Sequence, residues 1–250
     1  MSTELRHKQI LDILEENGSV SVKLLTKMLF VSEATVRRDL TELEKKGALK
    51  RSFGGATPIL DTKKQVPLFI RESMNSTAKS EICQQAAALI KSGDTIFIDG
   101  SSTVQYLVKY ISHLKDIIVV TYSIKTAELM CKNHIKTYCT GGLLMENSLV
   151  CTGQEAIEFA GKINLDICFL SCKGISLLGD LTDTSEEETV IRRAFLKKSR
   201  TRVFLMTNNK FGNTYFHTLC NSNDVDYIFT NGEIPNTIKM RQLPALFVHD

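Results

Sequence analysis

At 250 residues the chain is long enough for two domains, and its 43% hydrophobic and 24% charged fractions describe a globular protein, not a disordered one. No apolar run approaches the roughly 18 residues of a membrane span, which excludes a helical membrane protein; the polar start MSTELRHKQ is no signal peptide, so a cytoplasmic location is expected. The net charge of +3 is too small to argue nucleic-acid binding in bulk, and residues 1–57 hold 10 Lys and Arg against 8 Asp and Glu, so any such affinity must come from placement.

Ile10, Ile13 and Leu14 are spaced to face a core and predict a first helix over 5–16, ended by Asn17-Gly18. Ser21 caps a short second helix over 23–29, with Leu25, Met28 and Leu29 inward. Only Phe30-Val31 separate it from Ser32, which can accept from the free N–H groups that open a third helix, while Glu33 adds negative charge to the first turn. Val36, Leu40 and Leu43 recur at i, i+4 and i+7 and give one buried stripe. The opposite stripe is Ala34, Arg38, Thr41 and Lys45, flanked by Thr35 and Arg37, and Gly47 ends the helix.

Small and cationic groups near a helix N-terminus suit the major groove of DNA. Arg can fork onto guanine O6 and N7, and Thr or Ala can sit against a thymine methyl. Residues 49–51 and Phe53 alternate before Gly54-Gly55, which reads as a short β-wing carrying Lys50 and Arg51 toward phosphates. A solvated surface helix is the plainer reading of the third helix alone. The order short helix, tight turn, longer basic-faced helix and wing is the helix-turn-helix arrangement, and it favours double-stranded operator DNA over a protein-interaction module. Ser32, Ala34, Thr35, Arg37, Arg38, Thr41, Lys45, Lys50 and Arg51 form the candidate DNA-binding set.

The run RHKQILDILEENGSVSVKLLTKMLFVSEATVRRDLTELEKKGALKRSFGGA resembles the N-terminal domain of the DeoR family of bacterial transcription regulators, whose signature is VS..T.RRDL..LE..G.L.R..GGA. The resemblance implies that residues 20–39 are the helix-turn-helix proper and that Arg37 and Arg38 fill the family's paired arginine positions.

Residues 58–76 lose all periodicity around Pro58 and Pro67 and read as a linker. A helical pattern (Ile82, Ala86, Leu89, Ile90) then begins at Thr77 and ends at Gly93. Short apolar runs at 95–98, 117–120, 137–139, 167–170, 203–206 and 227–229 predict buried strands. Helical segments lie between them, around 105–111, 124–131, 154–163 and 188–198, with Ser185 and Glu188 making a capping box for the last. The fold class expected is α/β: a small winged helix-turn-helix domain (1–57), the linker, a larger effector-sensing domain with a mostly parallel sheet (77–232), and a tail over 233–250 whose apolar stretch 243–248 can pack on that domain or on a partner subunit.

In such sheets ligands bind where strands end. Asp99-Gly100-Ser101-Ser102-Thr103 offers hydroxyls and helix-start N–H groups to a phosphate, though Ser and Thr also cap helices for structural reasons. Gly141-Gly142 can admit a ligand or merely turn the chain. Lys173 and Lys210 can pair with a phosphate or remain solvated. The seven scattered cysteines, never in a CxxC pair, read as buried reduced thiols; no metal and no cofactor are expected.

IFIDGSST, VVTYS, Gly141-Gly142, Gly153, DICFLSCKGIS, GDLT and NKFG are similar, in order and spacing, to the DeoR family's sensor domain. That domain resembles ribose-5-phosphate isomerase in fold and typically senses a phosphorylated sugar or related metabolite. The resemblance implies a phosphate loop of Asp99, Ser101, Ser102 and Thr103, with Gly141, Gly142, Lys173 and Lys210 around it. Three positions depart: Tyr122 stands where the family usually has Asn, and Thr207 and Asn209 where it usually has Asp and Ser. The function expected is a repressor of a carbohydrate-metabolism operon released by a phosphorylated sugar or polyol, acting as a dimer or tetramer. The alternative is a sugar-phosphate isomerase or acyl-transferase-like enzyme, which needs a carboxylate base, with Asp99, Asp183 and Glu188 as candidates.

Overall fold

Three serines open the first three helices. Ser2 accepts from Leu5 N at 3.3 Å, Ser21 from Leu24 N at 3.1 Å and Ser32 from Thr35 N at 3.2 Å, each meeting an N–H that the helix itself leaves unpaired. They start α1 (Thr3–Asn17), α2 (Val22–Leu29) and α3 (Glu33–Lys45). A computed structural model describes residues 1–57, 68–146, 148–238 and 245–249, and these divide into two compact units, Met1–Ser76 and Thr77–Asp250.

In the first unit the predicted apolar positions converge except for Met28, which was expected inward but is 45% exposed because it shares the outer face of α2 with Leu24. Ile10 and Leu14 of α1, Leu25 of α2 and Val36, Leu40 and Leu43 of α3 are buried in one cluster. Val20–Ser21 adds a strand, β1, which the sequence reading did not foresee. It joins β2 (Lys50–Ser52) and β3 (Gly55–Thr57) in an antiparallel sheet of order β1-β3-β2. Gly55 is required there: a Cβ at that position would lie 1.9 Å from the Val20 carbonyl oxygen.

The segment read as a linker is not structureless throughout. Leu68–Ser73 forms a helix, α4, and buries Ile70 in the first unit's core with Met74 packed against it; residues 58–67 lie outside the described residues. Two prolines and six helical residues are too little pattern for periodicity to register.

The second unit is a three-layer α/β structure. In chain order it runs α5 (Ser76–Ala87), β4 (Thr95–Ile98), a 3-10 turn at Val104–Leu107 with α6 (Val108–Ile111), β5 (Ile118–Thr121), α7 (Ile124–Lys132), β6 (Lys136–Cys139), β7 (Leu143–Met145) and β8 (Val150–Thr152). It continues with α8 (Gln154–Gly161), β9 (Leu165–Leu170), β10 (Gly174–Ile175), β11 (Asp180–Asp183), α9 (Glu186–Lys197), β12 (Ser199–Leu205), β13 (His217–Asn221), β14 (Tyr227–Asn231) and β15 (Ala245–His249). Seven strands pair in parallel in the order β15-β14-β12-β9-β4-β5-β6. All six predicted strands are present, but β6, expected to be buried, is largely exposed because it lies at one edge of the sheet, and the tail supplies a seventh strand at the other.

Both faces of this sheet are covered. Phe97, Leu170 and Phe204 face the side packed by Phe195 and Leu196 of α9, while Ile96, Phe169 and Val203 face the side packed by Ile82 of α5 and Met130 of α7. Burial on both faces is why these strands read as continuous apolar runs. From β4 the chain first builds outward through β5 and β6, then returns to lay β9 against the other side of β4 and builds outward again. The reversal makes β4 and β9 a topological switch point, the place where sheets of this kind bind ligands beyond the C-terminal strand ends. Two smaller antiparallel sheets, β7-β8 and β10-β11-β13, fold over that end.

Candidate DNA-reading face and effector site

On α3 the period separates an inner from an outer surface. Val36, Leu40 and Leu43 are wholly buried, whereas Ser32, Ala34, Arg37, Arg38 and Lys45 are exposed and Thr35 and Thr41 half-buried. Arg37 pairs loosely with Glu33 at 3.4 Å, an i, i+4 contact between two half-exposed side chains. Lys50 and Arg51 are exposed on the wing. Arg51 also ties the wing to the helix: its guanidinium donates to Thr41 Oγ1 at 3.0 Å and its backbone N–H to Glu44 Oε1 at 2.9 Å. All nine candidates therefore lie on α3, its cap or the wing.

Sequence reasoning missed Asp39. It is a buried carboxylate on the flank of the α3 apolar stripe, held by Arg6 Nε at 2.5 Å and Nη2 at 2.8 Å, with His7 Nε2 3.2 Å from its other side. This ion pair fixes α3 against α1. An acidic residue beside an apolar stripe, with two basic residues on a preceding helix, was the available signal.

At the strand ends of the second unit, the loop after β4 is folded on itself. Asp99 accepts from Ser101 N at 2.8 Å, Ser101 Oγ accepts from Val104 N at 3.3 Å, and the Ser101 carbonyl accepts from Gln105 N at 3.1 Å. The helix start proposed as an anion site is thus a 3-10 turn whose first N–H groups meet the loop's own oxygens. Asp99 is wholly buried. Its Oδ1 also accepts from the Tyr122 hydroxyl at 3.0 Å and its Oδ2 from Ser171 N at 3.0 Å, so this carboxylate braces the C-terminal ends of β4 and β9 rather than facing a ligand.

Under the loop lies Arg192 of α9, almost fully buried. It reaches Asp183 at 2.7 Å, Glu188 at 2.7 Å and Asp99 at 3.4 Å, and its Nε donates to the Tyr122 hydroxyl at 3.0 Å. Burial alone would raise the Asp183 pKa, but the Arg192 charge, the Thr184 N–H and Lys173 outweigh it and hold the carboxyl below its usual range. Burial pushes the Tyr122 phenol well up, so the hydroxyl stays protonated and donates to Asp99. Its ring stacks on Phe97 inside the core. Tyr122 is therefore a member of the brace under the loop.

Two lysines approach these strand ends from different elements. Lys210, just beyond β12, donates to Ser171 Oγ at 2.8 Å. Lys79 of α5 is buried and donates to Ser102 Oγ at 3.2 Å, one helical turn before Cys83, whose thiol donates to the Thr103 carbonyl. Lys79 was missed because the α5 pattern marks it only as a polar helix residue. Lys173 donates to Thr184 Oγ1 at 2.7 Å, beside Asp183. Gly141-Gly142 lie two strands over, turning the chain from β6 into β7, with Gly142 against the Thr152 carbonyl. Thr207 and Asn209 bond each other at 2.7 Å. The structure thus bonds Lys79 to Ser102, between Ser101 and Thr103 in the chain, and Lys210 to Ser171, whereas Lys173 bonds Thr184 and Gly142 packs on Thr152.

The cysteine expectation needs correction. Cys83, Cys151, Cys168 and Cys172 are buried, and burial pushes the Cys168 and Cys172 thiols up to about 12; Cys131 and Cys139 are exposed, because they sit on the outer face of α7 and at the end of an edge strand. Among the described residues no three His, Cys, Asp or Glu side chains cluster to hold a metal, and no helix is long and apolar enough to cross a membrane.

Residues 6–62 match the model of the DeoR-like helix-turn-helix domain and residues 74–232 that of the DeoR C-terminal sensor domain. The chain is 32% identical to the uncharacterized HTH-type transcriptional regulator YulB of Bacillus subtilis, over 94% of this chain and 91% of that one. It is 28% identical to the glycerol-3-phosphate regulon repressor of Haemophilus influenzae, over 95% and 92%. Among solved structures, ribose 5-phosphate isomerase A from Neisseria gonorrhoeae aligns at 12% identity over 53% of this chain and 52% of that one, with a TM-score of 0.41.

Proposed function

The chain belongs to the DeoR family of transcription regulators, and from that premise we propose that it represses a carbohydrate-metabolism operon and is released from double-stranded operator DNA by a phosphorylated sugar or polyol. A relative named as a glycerol-3-phosphate regulon repressor supports an effector of that chemistry. The protein is a regulator and not an enzyme: Asp99, Asp183 and Glu188, the carboxylates an isomerase or acyl transferase would use as base, all face Arg192. In this reading Arg37 and Arg38 read base edges with Ala34, Thr35 and Thr41. Ser32, Lys45, Lys50 and Arg51 hold phosphates, and two or four copies supply paired heads.

What supports the effector half is that Lys79 bonds Ser102, beside Ser101 and Thr103 in the loop after β4, and Lys210 bonds Ser171 after β9, on the two strands of a topological switch point. Two ammonium groups among hydroxyls suit a phosphate, with Asp99 as the brace beneath and Lys173 at the margin. A ligand there lowers DNA affinity only through different affinities for two states, several kcal/mol for a fully effective inducer.

The test uses a duplex selected by the full-length protein from random DNA, with anisotropy read in the presence of glycerol 3-phosphate and a panel of sugar phosphates. Lys210→Ala and Ser102→Ala should bind the duplex as the parent does and lose the response. Parent-like release of both variants by the same phosphate would place the effector site elsewhere.

A further inference from the structure

The β7–β8 hairpin exposes apolar side chains on both of its faces. Leu143 and Leu144, successive residues that point to opposite sides of a strand, are 67% and 50% exposed. Leu149 in the turn is 42% exposed, as is Ile124, whose N–H donates to the Leu149 carbonyl at 3.0 Å and ties the two backbones together. Between Leu143 and Thr152 the sequence has one charged residue, Glu146. Among the described residues β7 pairs with β8 alone, so its outer edge is open. Its three residues make a short edge, but an apolar one without charge or proline, whose free N–H and carbonyl groups remain a template for another chain.

The root of the hairpin is clamped to the effector loop. Cys151 N donates to the Tyr122 carbonyl at 2.7 Å, and Val150 pairs with Ser123. Val150 also packs so closely on Gly100 that a Cβ there would lie 2.4 Å from its Cγ1. Gly100 sits between Asp99 and Ser101, inside the candidate phosphate loop. We propose that this hairpin is the surface through which a second copy of the chain pairs, and that the Val150–Gly100 contact carries effector occupancy to that pairing.

A second copy fits the patch for two reasons. Summed over the two faces of the hairpin, both of which flank an edge-to-edge partner, the four side chains expose roughly 350 Å² of apolar area. Doubled across a two-fold axis this gives about 700 Å², near the apolar share of the smallest stable specific interfaces, about 1,200 Å² in all. An open edge strand is also self-complementary, because an antiparallel copy of itself satisfies the same N–H and carbonyl groups under two-fold symmetry. Pairing of this kind couples ligand to DNA, since two linked heads bind an operator far more tightly than one.

The experiment is light scattering on the full-length protein at micromolar concentration, without ligand. The parent should run as a dimer or larger. Leu144→Glu should at least halve its mass, and Phe216→Glu, at an equally open apolar site elsewhere in the unit, should leave it unchanged. A monomeric parent, or a natively folded Leu144→Glu with the parental mass, overturns the proposal. If that variant misfolds, a benzophenone side chain at position 144 settles the matter: crosslinking to a second copy supports the surface, and none on irradiation overturns it. Val150→Ala, which exposes nothing new to the partner, should shift the dimer dissociation constant several-fold; an unchanged constant overturns the coupling. The proposal rests on the effector reading of this unit, and the two fail separately. Loss of all phosphate response in the parent breaks that reading whatever the mass, while a parental mass in folded Leu144→Glu breaks only the pairing surface.

Discussion

Beneath the reading helix, Arg6 meets one carboxylate, Asp39; beneath the strand-end loops, Arg192 meets three, Asp99, Asp183 and Glu188. In the first unit the ion pair lies on the side of α3 away from the candidate DNA contacts, and no candidate residue belongs to it. In the second unit the brace runs into the functional loop, because Asp99 is both its member and the loop's first residue. The difference teaches that the candidate DNA-reading face can vary at constant stability, whereas the candidate effector loop shares its free energy with the core.

Arg192→Met tests this most severely. It leaves three buried carboxylates without their cation and should cost about 3–5 kcal/mol, read as a fall in the urea midpoint of the second unit. Arg6→Met leaves one carboxylate, still beside His7, and should cost roughly 1–3 kcal/mol. Equal costs would break the comparison.

Acid should discriminate next. Asp183 has a lowered folded pKa, so its contribution is present above the ordinary value of 3.8 and is lost as pH falls below it. The parent should lose stability steeply below about pH 4, and Asp183→Asn, weaker at neutral pH, should show a flatter acid limb. Parallel limbs in the two proteins would remove Asp183 from the brace.

On the other side, Arg38→Ala should cost roughly 1–3 kcal/mol of operator affinity at fixed salt while the unfolding midpoint stays put. A shifted midpoint would mean that the face is not separable from its core. The smallest effect sharpens the contrast: Tyr122→Phe removes only the hydroxyl between Arg192 and Asp99, and should cost about 1 kcal/mol of stability. It should also blunt the phosphate response in the anisotropy assay, with DNA affinity unchanged. A full response in this variant would uncouple brace from loop.

The same contrast explains what the sequence made legible. Helical period sorts residues by direction, so Ala34, Arg38, Thr41 and Lys45 were separable from Val36, Leu40 and Leu43 without coordinates. The switch-point rule likewise put attention on the loop after Asp99. Roles inside that loop were another matter. Asp99 looks like a ligand in sequence because its partners, Tyr122, Ser171 and Arg192, are distant along the chain, and nothing local marks a carboxylate as consumed. Lys79 hides for the same reason, on a helix whose pattern gives its side chain no destination. The capping box at Ser185 was half informative: Ser185 accepts from Glu188 N at 3.2 Å, while the Glu188 carboxylate reaches Arg192. Short strands such as β7 and β15 carry too few residues for a period to show.

The seam between β4 and β9 also sets an order in time. Contacts within each half of the large sheet join residues near in sequence: Thr121 reaches the Ile98 carbonyl across 23 residues, and Arg202 N reaches Asp226 across 24. Across the seam, Asp99 and Ser171 are 72 apart. Closing the longer loop costs more chain entropy before any contact repays it, so the halves β4-β5-β6 and β9-β12-β14 can form first and the seam last. The candidate effector site, which draws on both sides of the seam, would be complete only after that final step. A metabolite bound across it would therefore act during refolding chiefly by slowing the reopening of the seam, and nascent chains would acquire the capacity to respond only at the end of folding.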